Sequence, residues 1–512
     1  MNRRDLILTY DIGTTGIKCT LFDEMGRQVS SQVVAYQTYY PKPGWSEQDP
    51  DDFWKGAIEG TRLMLERDTS LFSRIAVIGL SGHMNGCIPV DRFGEPLFRD
   101  IIHSDCRCGK ETEQIHRVFD EKEFFNIAGN RIDPHYTLPK ILWLKNHYLD
   151  LYKQTAFFIN SKDYVSYKLT GTLGITDFSD ASLSCMLDMK KKDWSQEIIS
   201  RLNLDRSKLP QLLKSYDIAG YVTKKAAGIL GLREGIPVVA GGGDGACATR
   251  GSGTTGNGDA YNYIGSSSWI CTLHDQPVLD DRIFNYYDLD GVHCNVCGTI
   301  QCATISYDWV VENIGRFNEG QLGKEPIDVH QQMEQLARQS IPGSNGIFFL
   351  PYLMGERTPY WDANTKGAFI GFTLFHKRSD ILRSVYEGVA YALRSVLGVF
   401  EENQLSIEHL TLIGGGAKSR LWNEIMSDVY GKKLRIHRDP GEATSLGSAM
   451  AAGVGVGIFT DFESAARIVQ YDQIVEPDPA RMIQYDRFYE VYKMMYPALK
   501  PVYDRIAGLQ DY

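Results

Sequence analysis

Residues 10–20 read Y-D-I-G-T-T-G-I-K-C-T, and residues 262–272, almost half a chain later, read N-Y-I-G-S-S-S-W-I-C-T. Ile, Gly, Cys and Thr coincide, and Thr-Thr becomes Ser-Ser. Each copy runs from an apolar strand through a turn of Gly and hydroxyl residues into a second strand, the pattern of a β-hairpin. Such a turn can aim backbone N–H groups and hydroxyls at an anion, and Gly lets the backbone approach closely. Two copies, one per half, predict a duplicated fold that grips a polyphosphate, against the plainer alternative of two unrelated hairpins. Asp11 of the first copy is replaced by Tyr263 in the second. Only the first hairpin therefore offers a carboxylate for Mg²⁺.

A chain of 512 residues exceeds the size at which one core stops growing, so at least two large domains are expected. With 43% hydrophobic and 23% charged residues it has the composition of a globular protein. A formal net charge of -10 argues against nucleic acid or an anionic membrane as partner, so an anionic ligand must be held by local devices. The first residues hold too short an apolar run for a signal peptide, and no apolar stretch reaches membrane-spanning length. Ten scattered cysteines then fit reduced thiols in a cytoplasm. His293, Cys294, Cys297 and Cys302 cluster, but a single Cys-x-x-Cys is half of a zinc site, and buried structural thiols are the expectation. Cys106 and Cys108 are read in the same way.

Strand and helix signals alternate throughout, as in an α/β protein. Stretches 6–11, 17–22 and 29–36 predict three antiparallel strands. Asp49 then caps a helix with Pro50 in its first turn and an apolar stripe of Phe53, Trp54, Ala57, Ile58, Thr61, Met64 and Leu65. The buried strand 75–80 follows and leaves through S-G-H-M-N-G. The second half repeats the order: hairpin, a helix over 379–400, a strand over 409–413, a glycine exit, a helix over 419–430 ended by Gly431, and helices over 442–452 and 482–496. R-G-S-G-T-T-G-N at 250–257 reads as a hinge, which divides the chain into 1–250 and 251–512.

A third glycine-rich exit, V-V-A-G-G-G-D-G-A at 238–246, formally satisfies a dinucleotide fingerprint. It lies mid-chain, ends a domain and holds an acid in the turn, which counts against that reading. Asp244, at the mouth of a strand, is instead placed to accept a proton from a substrate hydroxyl. Neither a Walker sequence nor a protein-kinase loop set occurs.

Together, D-I-G-T-T-G at Asp11, G-G-G-D at Gly241, I-G-S-S-S at Ile264, G-E-R-T-P-Y-W-D at Gly355, S-V-Y-E-G at Ser384 and I-G-G-G-A-K-S at Ile413 resemble the FGGY family of carbohydrate kinases, in order over nearly the whole chain. His135–His147, H-Y-T-L-P-K-I-L-W-L-K-N-H, is similar to a family signature, and the Gly355 and Gly414 stretches resemble the xylulokinase-like branch. The resemblance implies two actin-like (ribonuclease H-like) α/β domains, a sugar-binding one at 1–250 and a nucleotide-binding one at 251–512, with the catalytic cleft between them. It implies ATP and Mg²⁺ as cofactors and a cytoplasmic enzyme, with a homodimer left open. By the same resemblance Asp244 is the general base and Asp11 the Mg²⁺ partner. Gly13, Thr14, Thr15, Gly265, Ser266 and Ser267 face the phosphates, and Gly415, Gly416 and Ser419 the adenosine. Met84, Asn85, Asp105 and Arg107 should face the sugar. A ketopentose such as D-xylulose is the expected substrate, with gluconate, L-ribulose or erythritol as alternatives, and a catalytically inactive sensor as a further one. The chain departs from the branch where H-M-N-G stands for Q-M-H-G, Ser104 for the Asn of N-D-x-R, and Gly245 for an Asn after the base.

Overall fold

A computed structural model describes residues 4–256, 258–315 and 329–509. The chain forms two compact units, each assembled from separate stretches: residues 1–255, 273–296 and 442–469 make the first, and 256–272, 297–441 and 470–512 the second.

In the first unit, β1 (Leu6–Ile12), β2 (Gly16–Asp23) and β3 (Gln28–Ala35) form the expected antiparallel run. α1 (Pro50–Arg67) starts at Asp49, whose carboxylate accepts the Asp51 N–H. α1 lies very close to the sheet because it carries glycines there: a Cβ at Gly60 would sit 2.4 Å from the Cys19 sulfur. β4 (Ile75–Gly82) runs parallel to β1. β5 (Ile218–Tyr221), β6 (Pro237–Val239) and the short β7 (Gly242–Gly243) complete a seven-stranded sheet of order β5-β6-β4-β1-β2-β3, with β7 also on β4. α2 (Asp244–Gly251) leaves β7 and crosses the helix Ala443–Gly455. At that crossing a Cβ on Gly251 would lie 1.7 Å from the Ala443 carbonyl oxygen.

The second unit repeats the plan. β8 (Gly258–Ile264) pairs antiparallel with β9 (Ser268–His274). After α3 (Arg378–Glu402), β10 (Ile407–Ile413) adds parallel to β8. α4 (Arg420–Tyr430) leads to β11 (Lys433–His437), parallel to β10, and β12 (Tyr471–Val475) closes antiparallel on β11. The path β9-β8-β10-β11-β12 thus matches β2-β1-β4-β6-β5 strand for strand in neighbour and direction, and both units are actin-like (ribonuclease H-like).

Three expectations change. The C-terminal helix spans Pro479–Ala507 and continues through Pro497 and Pro501, held by Tyr496 on Asp362 and by a buried Tyr503. The glycine-rich stretch at 250–257 is no open hinge in its first half. Arg250 and Gly251 end α2, Arg250 is buried on Asp288 and Asp290 at 2.7 and 2.8 Å, and Ser252 and Thr254 are buried too; Asn257 lies outside the described residues. Cys106 is exposed, whereas the other nine cysteines are buried. Cys294 and Cys297 lie on the strand Cys294–Ile300, where an odd spacing sends side chains to opposite faces. Among the described residues no helix is long and apolar enough to cross a membrane.

The stretch 355–362 is a structural tie. Its Glu356 is 3% exposed and accepts N–H groups of Gln301 and Arg357 at 2.9 and 2.8 Å, while Glu356 and Asp362 exchange backbone bonds. Burial raises the Glu356 carboxyl from 4.5 to about 8. Between those values the unfolded chain releases a proton that the folded chain keeps, so stability falls as pH rises from 4.5 to 8. Glu356→Gln cannot ionise. It is expected to raise the thermal midpoint by roughly 3 °C at the upper end of that window, with little change at the lower end. Calorimetry across pH checks this, and a pH-independent difference would refute it.

Candidate active site

Parallel strands present their carboxyl ends side by side, where ligands of open α/β sheets bind. In the first unit Asp11 on β1 is in register with Ser81 on β4, which is in register with Gly242 on β7. The next step along β7 brings Gly243 opposite Gly82 and starts α2 at Asp244. Asp11 and Asp244 therefore stand at the same end of the sheet, both half-buried. Burial, then the Asp11 charge, raises the Asp244 carboxyl to about 6, with His83 opposing. Burial also raises Asp11, against Lys18, Ser81 and His83. Lys18, opposite Asp11 on β2, pairs with Glu442 at 3.1 Å. Carboxylates crowded in this way would suit a divalent cation, with Asp11 as the residue to hold it.

The β1–β2 turn is closed by the Gly13 N–H on the Gly16 carbonyl at 3.0 Å. Gln48 Nε2 donates to the Thr14 carbonyl at 2.5 Å, and the Tyr36 hydroxyl to that of Gly13. Thr15 is exposed and Thr14 half-buried.

The exit from β4 is equally fixed. His83 is 1% exposed; its Nε2 lies 2.9 Å from Asp100 Oδ2 and its backbone N–H bonds the Ile12 carbonyl. Asn85 has φ +65°, and Lys140 Nζ ties its carbonyl to those of Ile102 and His135 at 2.5, 3.0 and 2.8 Å. The Asn85 Oδ1 is shielded and has no partner among the described residues, an acceptor that a substrate hydroxyl would satisfy. Met84 packs on Gly243, where a Cβ would lie 2.5 Å from its sulfur.

Asp105 and Arg107 differ from expectation. They pair with each other at 2.7 Å with both side chains fully buried. Asp105 also accepts the Ser46 N–H, and Arg107 reaches Glu47 at 2.8 Å and stacks 3.7 Å from the Trp45 ring. A carboxylate and guanidinium this well matched satisfy one another and brace the loop instead of facing outward.

Sequence reading missed Tyr286, which comes from a strand remote in sequence. Its hydroxyl lies 2.9 Å from where a Cβ on Gly245 would be. The missing side chain beside Asp244 is thus matched by a tyrosine. It also missed His83 with Asp100, and Lys140, which sits inside the signature at 135–147.

In the second unit the β8–β9 turn is pinned by the Gly265 and Ser266 carbonyls, which accept the Thr304 and Ala303 N–H groups at 2.9 and 2.7 Å. Gly414, with φ +85°, lets the exit of β10 pass under Ile264, whose carbonyl oxygen would be 2.6 Å from a Cβ there. A cavity of about 500 Å³ opens beside these turns, lined by Gly265, Gly415, Gly416 and Ser419 among others. Ser266 and Ser267 lie in the same turn but outside this lining. Tyr307, Tyr386 and Trp422 add an aromatic wall that sequence reading overlooked, although Tyr386 belongs to S-V-Y-E-G. Glu334 fixes the floor by accepting the Ser419 hydroxyl and the Leu421 N–H at 2.8 and 3.0 Å. Aromatic faces next to hydrogen-bonding edges suit a flat heterocycle.

Residues 6–251 match the N-terminal domain and 260–456 the C-terminal domain of the FGGY family of carbohydrate kinases. The chain is 31% identical over 497 residues to the xylulose kinase of Staphylococcus xylosus, covering 96% of this chain and 99% of that one. The structure of xylulose kinase from Rhodospirillum rubrum is similar with a TM-score of 0.89 at 25% identity, covering 98% and 100% of the two chains. That of gluconate kinase from Lactobacillus acidophilus gives 0.90 at 25%, covering 98% and 99%.

Proposed function

Because the chain belongs to the FGGY family of carbohydrate kinases, we propose that it phosphorylates a ketopentose such as D-xylulose with ATP, using Asp244 as general base. The observation that carries this is Asp244 itself. It is half-buried at the carboxyl end of the sheet, the same end as Asp11, and its carboxyl binds a proton more readily than an ordinary aspartate does. Phosphoryl transfer asks the protein for alignment, charge neutralisation and a base near the attacking hydroxyl. Asp244 takes that proton. Met84 and Asn85 hold the sugar, with Asp105 and Arg107 bracing the loop behind them. Gly13, Thr14, Thr15, Gly265, Ser266 and Ser267 contact the phosphates, and Gly415, Gly416 and Ser419 the adenosine. Asp11 would hold Mg²⁺, which would supply charge neutralisation at the phosphates. The unit that holds residues 1–250 serves as the sugar-binding domain and the unit that holds most of 251–512 as the nucleotide-binding one, in a cytoplasmic enzyme.

A coupled assay with ATP and a panel of D-xylulose, L-ribulose, gluconate, erythritol and glycerol tests this. D-Xylulose is expected to give the highest kcat/KM. A higher value for gluconate would reassign the substrate and leave the kinase reading intact; no turnover of any sugar would favour an inactive sensor, which retention of Asp11 and Asp244 argues against. The gluconate reading gains weight from the similarity to gluconate kinase, while Gly245 and Tyr286 change the polar partners beside Asp244, through which sites that bind hydroxyls discriminate. Gly245→Asn is expected to cut kcat/KM by up to about 10²-fold, because its side chain meets the Tyr286 hydroxyl and shifts the base. Adding Tyr286→Ala should recover part of that loss. Full activity in Gly245→Asn alone would show that Tyr286 does not shape the pocket.

A further inference from the structure

Cys106 stands between Asp105 and Arg107 in the braced loop and is the exposed member of ten cysteines. Its Sγ lies 3.2 Å from His135 Nε2. On the other side of that ring Nδ1 lies 2.5 Å from Asp133 Oδ1, which also accepts the His135 backbone N–H at 3.0 Å. A carboxylate accepts the Nδ1–H hydrogen bond in such a pair and so fixes the tautomer whose Nε2 lone pair faces the thiol. The ring is anchored as well: Lys140 Nζ holds the His135 carbonyl together with those of Asn85 and Ile102. Nucleophile, base and orienting acid within hydrogen-bond reach are the geometry of an activated thiol. The phosphoryl-transfer reading leaves all three residues unused. Among the described residues no group of three His, Cys, Asp or Glu side chains is placed to hold a metal ion, so metal binding does not account for the cluster.

We propose that Cys106 is a nucleophilic thiol, activated by His135 and oriented by Asp133, whose oxidation by hydroperoxides reversibly switches the kinase off. His135 takes the thiol proton. The thiolate attacks one peroxide oxygen, the S–O bond forms as the O–O bond breaks, and the departing hydroxide takes the proton back from His135 as water. Sulfur is oxidised by two electrons to the sulfenic acid and the peroxide is reduced. A low-molecular-weight thiol then displaces water to give a mixed disulfide. Added bulk at Cys106 presses on His135, whose carbonyl shares the Lys140 ammonium with that of Asn85, and so disturbs the loop that carries Met84 and Asn85. That functional consequence rests on the sugar-site reading; the reactivity does not.

Full-length protein is treated with limiting iodoacetamide at pH 7, and alkylation of each cysteine is followed by peptide mass spectrometry, with urea-unfolded protein as reference. Cys106 is expected to react about 10-fold or more faster in the folded protein, where the His135 ring nitrogen stands within reach of the thiol proton. His135→Gln and Asp133→Asn should return it toward the unfolded rate. A folded rate no higher than the unfolded one, or one indifferent to His135→Gln, overturns the activation. Separately, hydrogen peroxide with glutathione should abolish sugar phosphorylation by the wild type, dithiothreitol should restore it, and Cys106→Ser should keep its activity throughout. Loss of activity in Cys106→Ser as well, or full activity in wild type carrying the mixed disulfide at Cys106, overturns the switch. Fast labelling of Cys106 in a protein that phosphorylates no sugar would fault the function reading alone.

Discussion

Asp244→Asn is expected to lower kcat for sugar phosphorylation by about 10² to 10⁴ while leaving fold and nucleotide binding nearly intact. Asn keeps the size and polarity of the side chain and can still accept the Gly245 N–H, which lies 2.8 Å from Asp244 Oδ1. What it loses is the ability to take a proton. Removing a raised carboxyl also removes one of the crowded charges beside Asp11, so thermal stability should hold or rise slightly. Steady-state kinetics with the preferred sugar, together with calorimetric nucleotide binding, separate the two effects. Turnover within a fewfold of wild type would remove Asp244 from the mechanism; loss of nucleotide binding in step with turnover would mean that the substitution had disturbed the fold.

Lys162→Met is expected to destabilise the first unit by about 3–5 kcal/mol, because it strands buried carboxylates without their cation. The Lys162 side chain is fully buried, with Nζ at 2.6 Å from Asp163, 3.1 Å from Asp177 and 3.1 Å from Asp180. Although burial opposes its charge, the three carboxylates hold its pKa well above the ordinary value. Burial pushes Asp180 well up, against Lys162. Asp180→Asn should cost less than Lys162→Met, since Asp163 and Asp177 still pair the lysine. The cluster also reaches the active site. Asp177 accepts the Ser179 hydroxyl at 2.5 Å, and that hydroxyl oxygen accepts the N–H of Gly243, the residue before Asp244, at 2.8 Å. Urea unfolding of both variants checks the contrast. Equal stability of Lys162→Met and wild type would show that the cluster is not held by its charge.

The two hairpins, the parallel strands that follow them and the acid in the glycine turn were legible because each is local. An apolar period, a cap such as Asp49 or Ser419 and a left-handed glycine such as Gly431 act within a few residues, whatever the rest of the chain does. The same locality misled at 250–257, where glycines and hydroxyls read as a linker. Arg250 is buried there by Asp288 and Asp290, and Gly251 by a helix close to the C-terminus.

The sequence by itself determined the duplicated α/β plan, the family and the turns that bear Asp11, Asp244, Gly265 and Gly415, because backbone conformation and hydrophobic period are written residue by residue. Only the tertiary structure decided what surrounds them. It set Tyr286 against Gly245, closed Asp105 on Arg107, paired Lys18 with Glu442, gathered three acids around Lys162 and brought His135 to Cys106. Several of these contacts join segments far apart in the chain, and even the close pair Asp105 and Arg107 takes its burial from the packing around it. The strength of a charge, a thiol or a base depends on the burial and partners acquired there, and no local pattern encodes them.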